Sequence, residues 1–175
     1  AAVHGIVAAH GGVVAVRSRP GDGTAFDVFL PVVAVQSSVS GREAASAKPT
    51  GSESVFIVDD EKQVSSTVAR ALNRLGYKVE CFSSGADALK AWRGQPGAWS
   101  LAITDHTMPE MTGLELAQQI LKERPDFPVI LCSGLMDTES ADAAAAAGIK
   151  AVLAKPVDQD TLARTIRDLL DRRAA

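Results

Sequence analysis

The chain has 175 residues, 46% of them apolar, which is enough for one full domain and an appendage around a sizeable core. Its 18 Lys and Arg are spread along the sequence and outnumbered by 21 Asp and Glu, for a net charge of -3 that is too small to suggest polyanion binding; no direct nucleic-acid partner is expected. No apolar run approaches the roughly 18 residues of a membrane span and the N-terminus carries no leader pattern, so this stretch is expected to be cytoplasmic and to make no membrane contact, whatever anchor its parent has.

Residues 1–31 predict a short helix end (Val3, Ile6, Val7) broken at Gly11-Gly12, then strands Val13 to Ser18 and Thr24 to Leu30. Between the strands, Pro20-Gly21-Asp22-Gly23 supplies the turn of a hairpin. A lone hairpin is marginal in water, so this piece is expected to be disordered or to pack on something larger, a second copy in a homodimer included. Residues 32–52 shift to Ser, Ala and Gly without periodicity, which is linker composition.

From Glu53 the pattern alternates strand and helix. Val55-Phe56-Ile57-Val58 is a continuous apolar strand ending in Asp59-Asp60-Glu61; Val64, Val68, Ala71, Leu72 and Leu75 then recur at helical spacing up to Gly76. Tyr77 to Phe82 reads as a second strand, and Ser83-Ser84 caps a helix through Trp92. After the loop 94–97 come a strand at Ser100 to Thr104, a helix marked by Leu114, Ala117, Ile120 and Leu121, and a strand at Val129 to Cys132. The alanine-rich stretch Ala141 to Ala147 is a helix of low buried area, loosely held. A strand at Ala151 to Ala154 and a helix marked by Leu162, Ile166, Leu169 and Leu170 close the chain. Cys81 and Cys132 both lie in apolar strand-like runs and read as buried hydrophobes of a reducing compartment.

Five strand–helix repeats argue for an α/β fold, a parallel sheet covered on both faces. Function in such a sheet gathers beyond the carboxyl ends of the strands, at the switch point. In the common order 2-1-3-4-5 this gathers Asp59 and Asp60 after the first strand, Asp105 after the third, Ser133 after the fourth and Lys155 after the fifth. Clustered acids repel, so the arrangement calls for a cation, and oxygen donors of this kind suit Mg²⁺. Each acid alone could simply cap a helix; their joint placement is what capping does not require.

Two resemblances follow. Val3-His4-Gly5-Ile6-Val7, His10-Gly11-Gly12, Ser18, Pro20-Gly21, Gly23-Thr24, Phe26 and Leu30-Pro31 resemble the last helix and strand pair of the ATP-binding domain of sensor histidine kinases. That family's nucleotide box and ATP lid are absent, so no nucleotide site is implied, and His4 and His10, each followed by glycine, are not expected to carry phosphoryl. Residues 53–173, with the DxxMP string from Asp105 to Pro109 and Lys155-Pro156, resemble the receiver domain of response regulators and imply its flavodoxin-like fold. This second resemblance implies that Asp105 is the phosphoryl acceptor, with Lys155 and Ser133 contacting the phosphoryl group. It also implies Mg²⁺ on Asp60, Asp105 and the backbone carbonyl of Thr107, with Asp59 acting through water.

The order of the two implies the C-terminal part of a hybrid histidine kinase: kinase tail 1–31, linker 32–52, receiver 53–173. Its partner would be the kinase core or a histidine phosphotransfer protein, with no DNA-binding output in this chain. Val152 stands where the family usually has an aromatic switch residue, so output is expected to rely on shifts near residues 135–150. His106 is expected to be a bystander. Two rivals are an unphosphorylated interaction module and a Mg²⁺-dependent phosphohydrolase; against the latter, Thr107 occupies the position of the needed second acid.

Overall fold

A computed structural model of the chain describes residues 2–21, 23–31, 49–95, 97–134 and 138–174. They fall into two compact units, one on each side of residues 32–48. Most of the expected linker therefore lies outside the described residues.

The first unit is helix α1 (Ala2–Ala9) followed by the antiparallel strands β1 (Val13–Arg19) and β2 (Gly23–Phe29), with Val13 opposite Phe29. Gly11, at φ +69°, reverses the chain after α1. The Gly12 N–H donates to the Val7 carbonyl at 2.9 Å, and a Cβ on Gly12 would strike the Phe29 carbonyl and the Val7 and Leu30 side chains. The His10 ring hydrogen-bonds the Ile6 carbonyl at 2.8 Å, which ties it to the helix end. Val7 is buried, but Val3, Ile6, Val16, Phe26 and Phe29 are exposed.

The second unit contains β3 (Ser54–Val58), α2 (Lys62–Arg74), β4 (Lys78–Phe82), α3 (Gly85–Gly94), β5 (Leu101–Asp105) and α4 (Gly113–Glu123). β6 (Val129–Ser133), α5 (Thr138–Ala146), β7 (Ala151–Ala154) and α6 (Gln159–Ala174) complete it. All five strands are parallel, in the order β4-β3-β5-β6-β7, as the alternation predicts.

Apolar runs of four or five residues suit strands covered on both faces, and the side chains divide by parity. Val55, Ile57, Leu101, Ile103, Ile130, Ala151 and Leu153 pack with α2 and α6. Phe56, Val58, Ala102, Val129, Leu131 and Val152 pack with α3, α4 and α5. Phe56 anchors the second face through edge-on contacts with Phe82 and Trp99 and a stacked one with Phe127. Burying one such side chain contributes about 2–3 kcal/mol.

The helix starts follow local chemistry. Ser84 accepts from the Asp87 N–H, and Thr112 and Glu115 form a reciprocal capping box at the start of α4. At the amino edge of the sheet, residues 50 and 51 are already tied to the second unit. The Gly51 N–H donates to the Leu75 carbonyl at 3.0 Å, while Arg167 bonds the Thr50 carbonyl at 3.4 Å and pairs with Glu53 at 2.7 Å.

Candidate functional site

Strand parity decides which side chains meet. Counting on by two from Val55 and Ile57 arrives at Asp59; from Leu101 and Ile103, at Asp105; from Ala151 and Leu153, at Lys155. All three therefore emerge at the carboxyl edge on the α2–α6 side. Because β3 and β5 are neighbours, Asp59 and Asp105 arrive beside each other.

Lys155 joins them. Its Nζ lies 2.7 Å from Asp105 Oδ1 and 3.1 Å from Asp59 Oδ2. Each remaining oxygen accepts a backbone N–H, Asp59 Oδ1 from Glu61 at 2.8 Å and Asp105 Oδ2 from Thr107 at 3.1 Å. Both carboxylates are buried, at 5% and 9% exposure, so four satisfied oxygens are what such burial demands. Burial alone would push Lys155 down, but the hydrogen bonds to Asp105 and then Asp59, with their charges, outweigh it and hold the ammonium above the ordinary lysine value.

Backbone hydrogen bonds tie the loops around the pair to their neighbouring strands. The Lys155 N–H donates to the Ser133 carbonyl at 2.8 Å, and the His106 N–H to the Cys132 carbonyl at 2.7 Å. The His106 carbonyl in turn accepts from Gly113 at 3.1 Å. A Cβ on Gly113 would collide with the Asp105 carbonyl, so the start of α4 can approach β5 this closely only as glycine.

The other predicted residues take different positions. Asp60 is exposed and makes no hydrogen bond or ion pair among the described residues. Ser133 is buried, with the parity of Val129 and Leu131, and so belongs to the face opposite the carboxylate pair. The His106 side chain is half-buried, and its buried Nδ1 has no partner among the described residues.

Among the described residues no three His, Cys, Asp or Glu side chains close on one point as a metal cage. Mg²⁺ does not need one: it keeps several waters and binds through one or two carboxylates, and two buried carboxylates with an exposed third beside them are the hard-oxygen donors it prefers.

An apolar cleft of about 460 Å³ opens beside the pair, walled by Val64, Val68, Cys132, Pro156 and Leu162. Helical spacing marks Val64 and Val68 as core, yet they stay half-buried because α2 and α6 leave this gap. Burial pushes the Cys132 thiol up to about 12, so it is no nucleophile at neutral pH. Neither the cleft nor the direct Asp59–Lys155 bond follows from sequence spacing. The even count from strand ends to each residue was the one available signal for the bond.

Comparison with known proteins identifies relatives of this fold. The sequence profile of the response regulator receiver domain matches residues 55–167. The sensor kinase CckA of Brucella abortus is 33% identical over 178 residues, covering 97% of this chain and 19% of its own length. The transcriptional regulatory protein GlrR of Escherichia coli is 33% identical over 120 residues, covering 69% of this chain and 27% of its own. The chain thus spans a fifth to a quarter of the length of these curated relatives. Among solved structures, a response regulator receiver domain protein from Clostridium thermocellum superposes with a TM-score of 0.67 at 26% identity, over 70% of this chain and 97% of that one.

Proposed function

The chain belongs to the response regulator receiver family, and from that premise we propose that it takes a phosphoryl group from a phosphohistidine onto Asp105. One observation carries the reading: Asp105 is a buried carboxylate with an ammonium 2.7 Å away and a backbone N–H on its other oxygen. In the transfer, one Asp105 oxygen forms a bond to phosphorus as the phosphorus–nitrogen bond of the donor breaks, and the imidazole leaves with the electron pair. Phosphoryl transfer asks mainly for in-line placement and neutralised oxygens, and Lys155 supplies one fixed positive charge for those oxygens. Burial of Asp105 keeps bulk water from competing.

Asp60, Asp105 and the Thr107 carbonyl are the groups that would hold Mg²⁺, with Asp59 orienting its water. The ion supplies the remaining charge neutralisation when bound. Ser133 would hydrogen-bond the phosphoryl group by moving toward it.

We further propose that the parent is a hybrid histidine kinase and that residues 1–31 are the tail of its ATP-binding domain, followed by a linker 32–52 and the receiver 53–173. Two observations support this: CckA matches nearly the whole chain where GlrR matches 69% of it, and the large exposed apolar side chains of the first unit are what a missing neighbour would cover. The donor is then a histidine kinase core or a histidine phosphotransfer protein. Among the described residues no helix is long and apolar enough to cross a membrane.

Incubation with Mg²⁺ and a small phosphodonor, followed by intact mass measurement, tests the chemistry. One added phosphoryl group is expected, and none on Asp105→Asn. Absence of the adduct, or its survival in the variant, would overturn the proposal.

A further inference from the structure

At the edge of the sheet opposite Asp105, the C-terminal ends of α4 and α6 and the loop before β7 enclose a cleft of about 720 Å³. Four cations line it, Arg124, Lys150, Arg172 and Arg173, against one carboxylate, Asp126. This is a local excess of positive charge in a chain whose net charge is -3. Elsewhere in the unit Arg93 pairs with Glu123, Arg167 with Glu53 and Asp171, and Lys155 with Asp59 and Asp105. In the cleft Arg124, Lys150 and Arg172 have no ion pair among the described residues, and Arg173 reaches only the Ser100 carbonyl, at 3.4 Å.

Basic residues at helix C-termini complement the helix dipole, and that accounts for part of the set. It does not account for Lys150, which lies outside any helix, two residues after the Gly148 that follows α5. Nor does it account for the concavity. Pro125 and Pro128 wall the cleft, and the Arg124 guanidinium carbon lies 5.3 Å from the centroid of the Phe127 ring, a cation–π contact that favours this placement. A planar, positioned guanidinium with an ammonium and further guanidiniums around one cavity is the donor set that suits phosphate oxygens.

We infer that this cleft binds a phosphate-bearing anion, at a site separate from the acceptor and independent of its chemistry. The group is carried either by a free phosphorylated small molecule or by a phospholipid headgroup; both present the same oxygens to the same cations.

The test uses the full chain without Mg²⁺, so that the acidic acceptor site repels the probe. Inorganic pyrophosphate is titrated while backbone amide shifts are followed, and flotation with phosphatidylglycerol–phosphatidylcholine vesicles runs in parallel. The comparison is with Lys150→Gln/Arg172→Gln, both exposed positions, or with Lys150→Gln alone should the double variant unfold. Saturable shifts confined to residues 124–129, 150 and 169–173, weakened about tenfold or more in the variant and by added salt, support the inference with a free ligand as the source. Flotation lost in the variant, with no pyrophosphate response, supports it with a headgroup as the source. Shifts scattered over the whole surface, binding that survives the variant, capture of polyglutamate in place of either phosphate probe, or no binding at all would overturn it.

Discussion

Lys155→Met should cost the second unit about 2 kcal/mol at neutral pH, and millimolar Mg²⁺ should return most of that loss. The substitution keeps most of the side chain's length and apolar stem but deletes the charge lying 2.7 Å from Asp105 and 3.1 Å from Asp59. Two carboxylates left facing each other at about 5 Å repel by roughly 3 kcal/mol at an effective dielectric constant of about 20. Lys155 is 28% exposed, so solvent screens part of this, which sets the lower figure. Urea unfolding followed by tryptophan fluorescence reads the right unit, because Trp92 and Trp99 are both buried in its core. In the unaltered chain the ammonium already neutralises the pair, so the same Mg²⁺ should stabilise it less than it stabilises the variant. An unchanged urea midpoint in the variant, or a larger Mg²⁺ gain in the unaltered chain, would refute the idea that Lys155 is the internal counter-cation.

Two further outcomes follow from contacts near the site and far from it. Gly113→Ala should lower stability by about 1–3 kcal/mol and slow phosphoryl uptake, because the new methyl meets the Asp105 carbonyl; Gly94→Ala, with nothing near its Cβ, should be neutral or slightly stabilising in the same urea assay. The Arg167 hydrogen bond holds Glu53 below its ordinary value of 4.5, so the stability it adds is complete above that pH and is lost as the pH falls through the lower, folded-state value. Arg167→Gln should therefore lose about 1 kcal/mol at neutral pH and show a flatter acid dependence below pH 4.5 in denaturant titrations.

The fold was legible because its strands are short, apolar and evenly punctuated, so strand-then-helix alternation survives without tertiary context. The helix ends read nearly as well. Gly76 sits at φ +97° after α2, and Ser84 is the working cap of α3. The capping box of α4 is a Thr-x-x-Glu string, visible in the sequence at Thr112 and Glu115 just before the apolar positions of the helix.

At the site, residue identity was legible and contact was not. Asp59 and Lys155 are far apart in sequence, and only the side chain's reach from the end of β7 past β6 and β5 brings them into direct contact. Asp60 illustrates the opposite limit. It is adjacent to Asp59 in sequence, but one step of parity turns it out to solvent, and a sequence count of acids cannot separate the two. Val152 is similar: its parity, not its identity, places it on the α3–α5 face of the sheet, the face that Ser133 shares by alternation.

The acidic mouth and the basic cleft have a common cause. In a parallel sheet with right-handed crossovers every helix begins at the carboxyl edge of the strands and ends at the amino edge, so the partial charges of helix termini add with one sign at each edge. The carboxyl edge favours anions, and Asp59 accepts from the Glu61 N–H just where α2 begins. At the amino edge cations are favoured, and Arg74, Arg93 and Arg172-Arg173 close α2, α3 and α6. A single basic residue at a helix end is satisfied by the dipole. Where two helix ends and a loop lysine open on one cavity, the positive charge exceeds what about half a charge per terminus can offset. The polarity of the fold thus explains why acids and bases segregate, while the surplus at the amino edge is what leaves room for a ligand there.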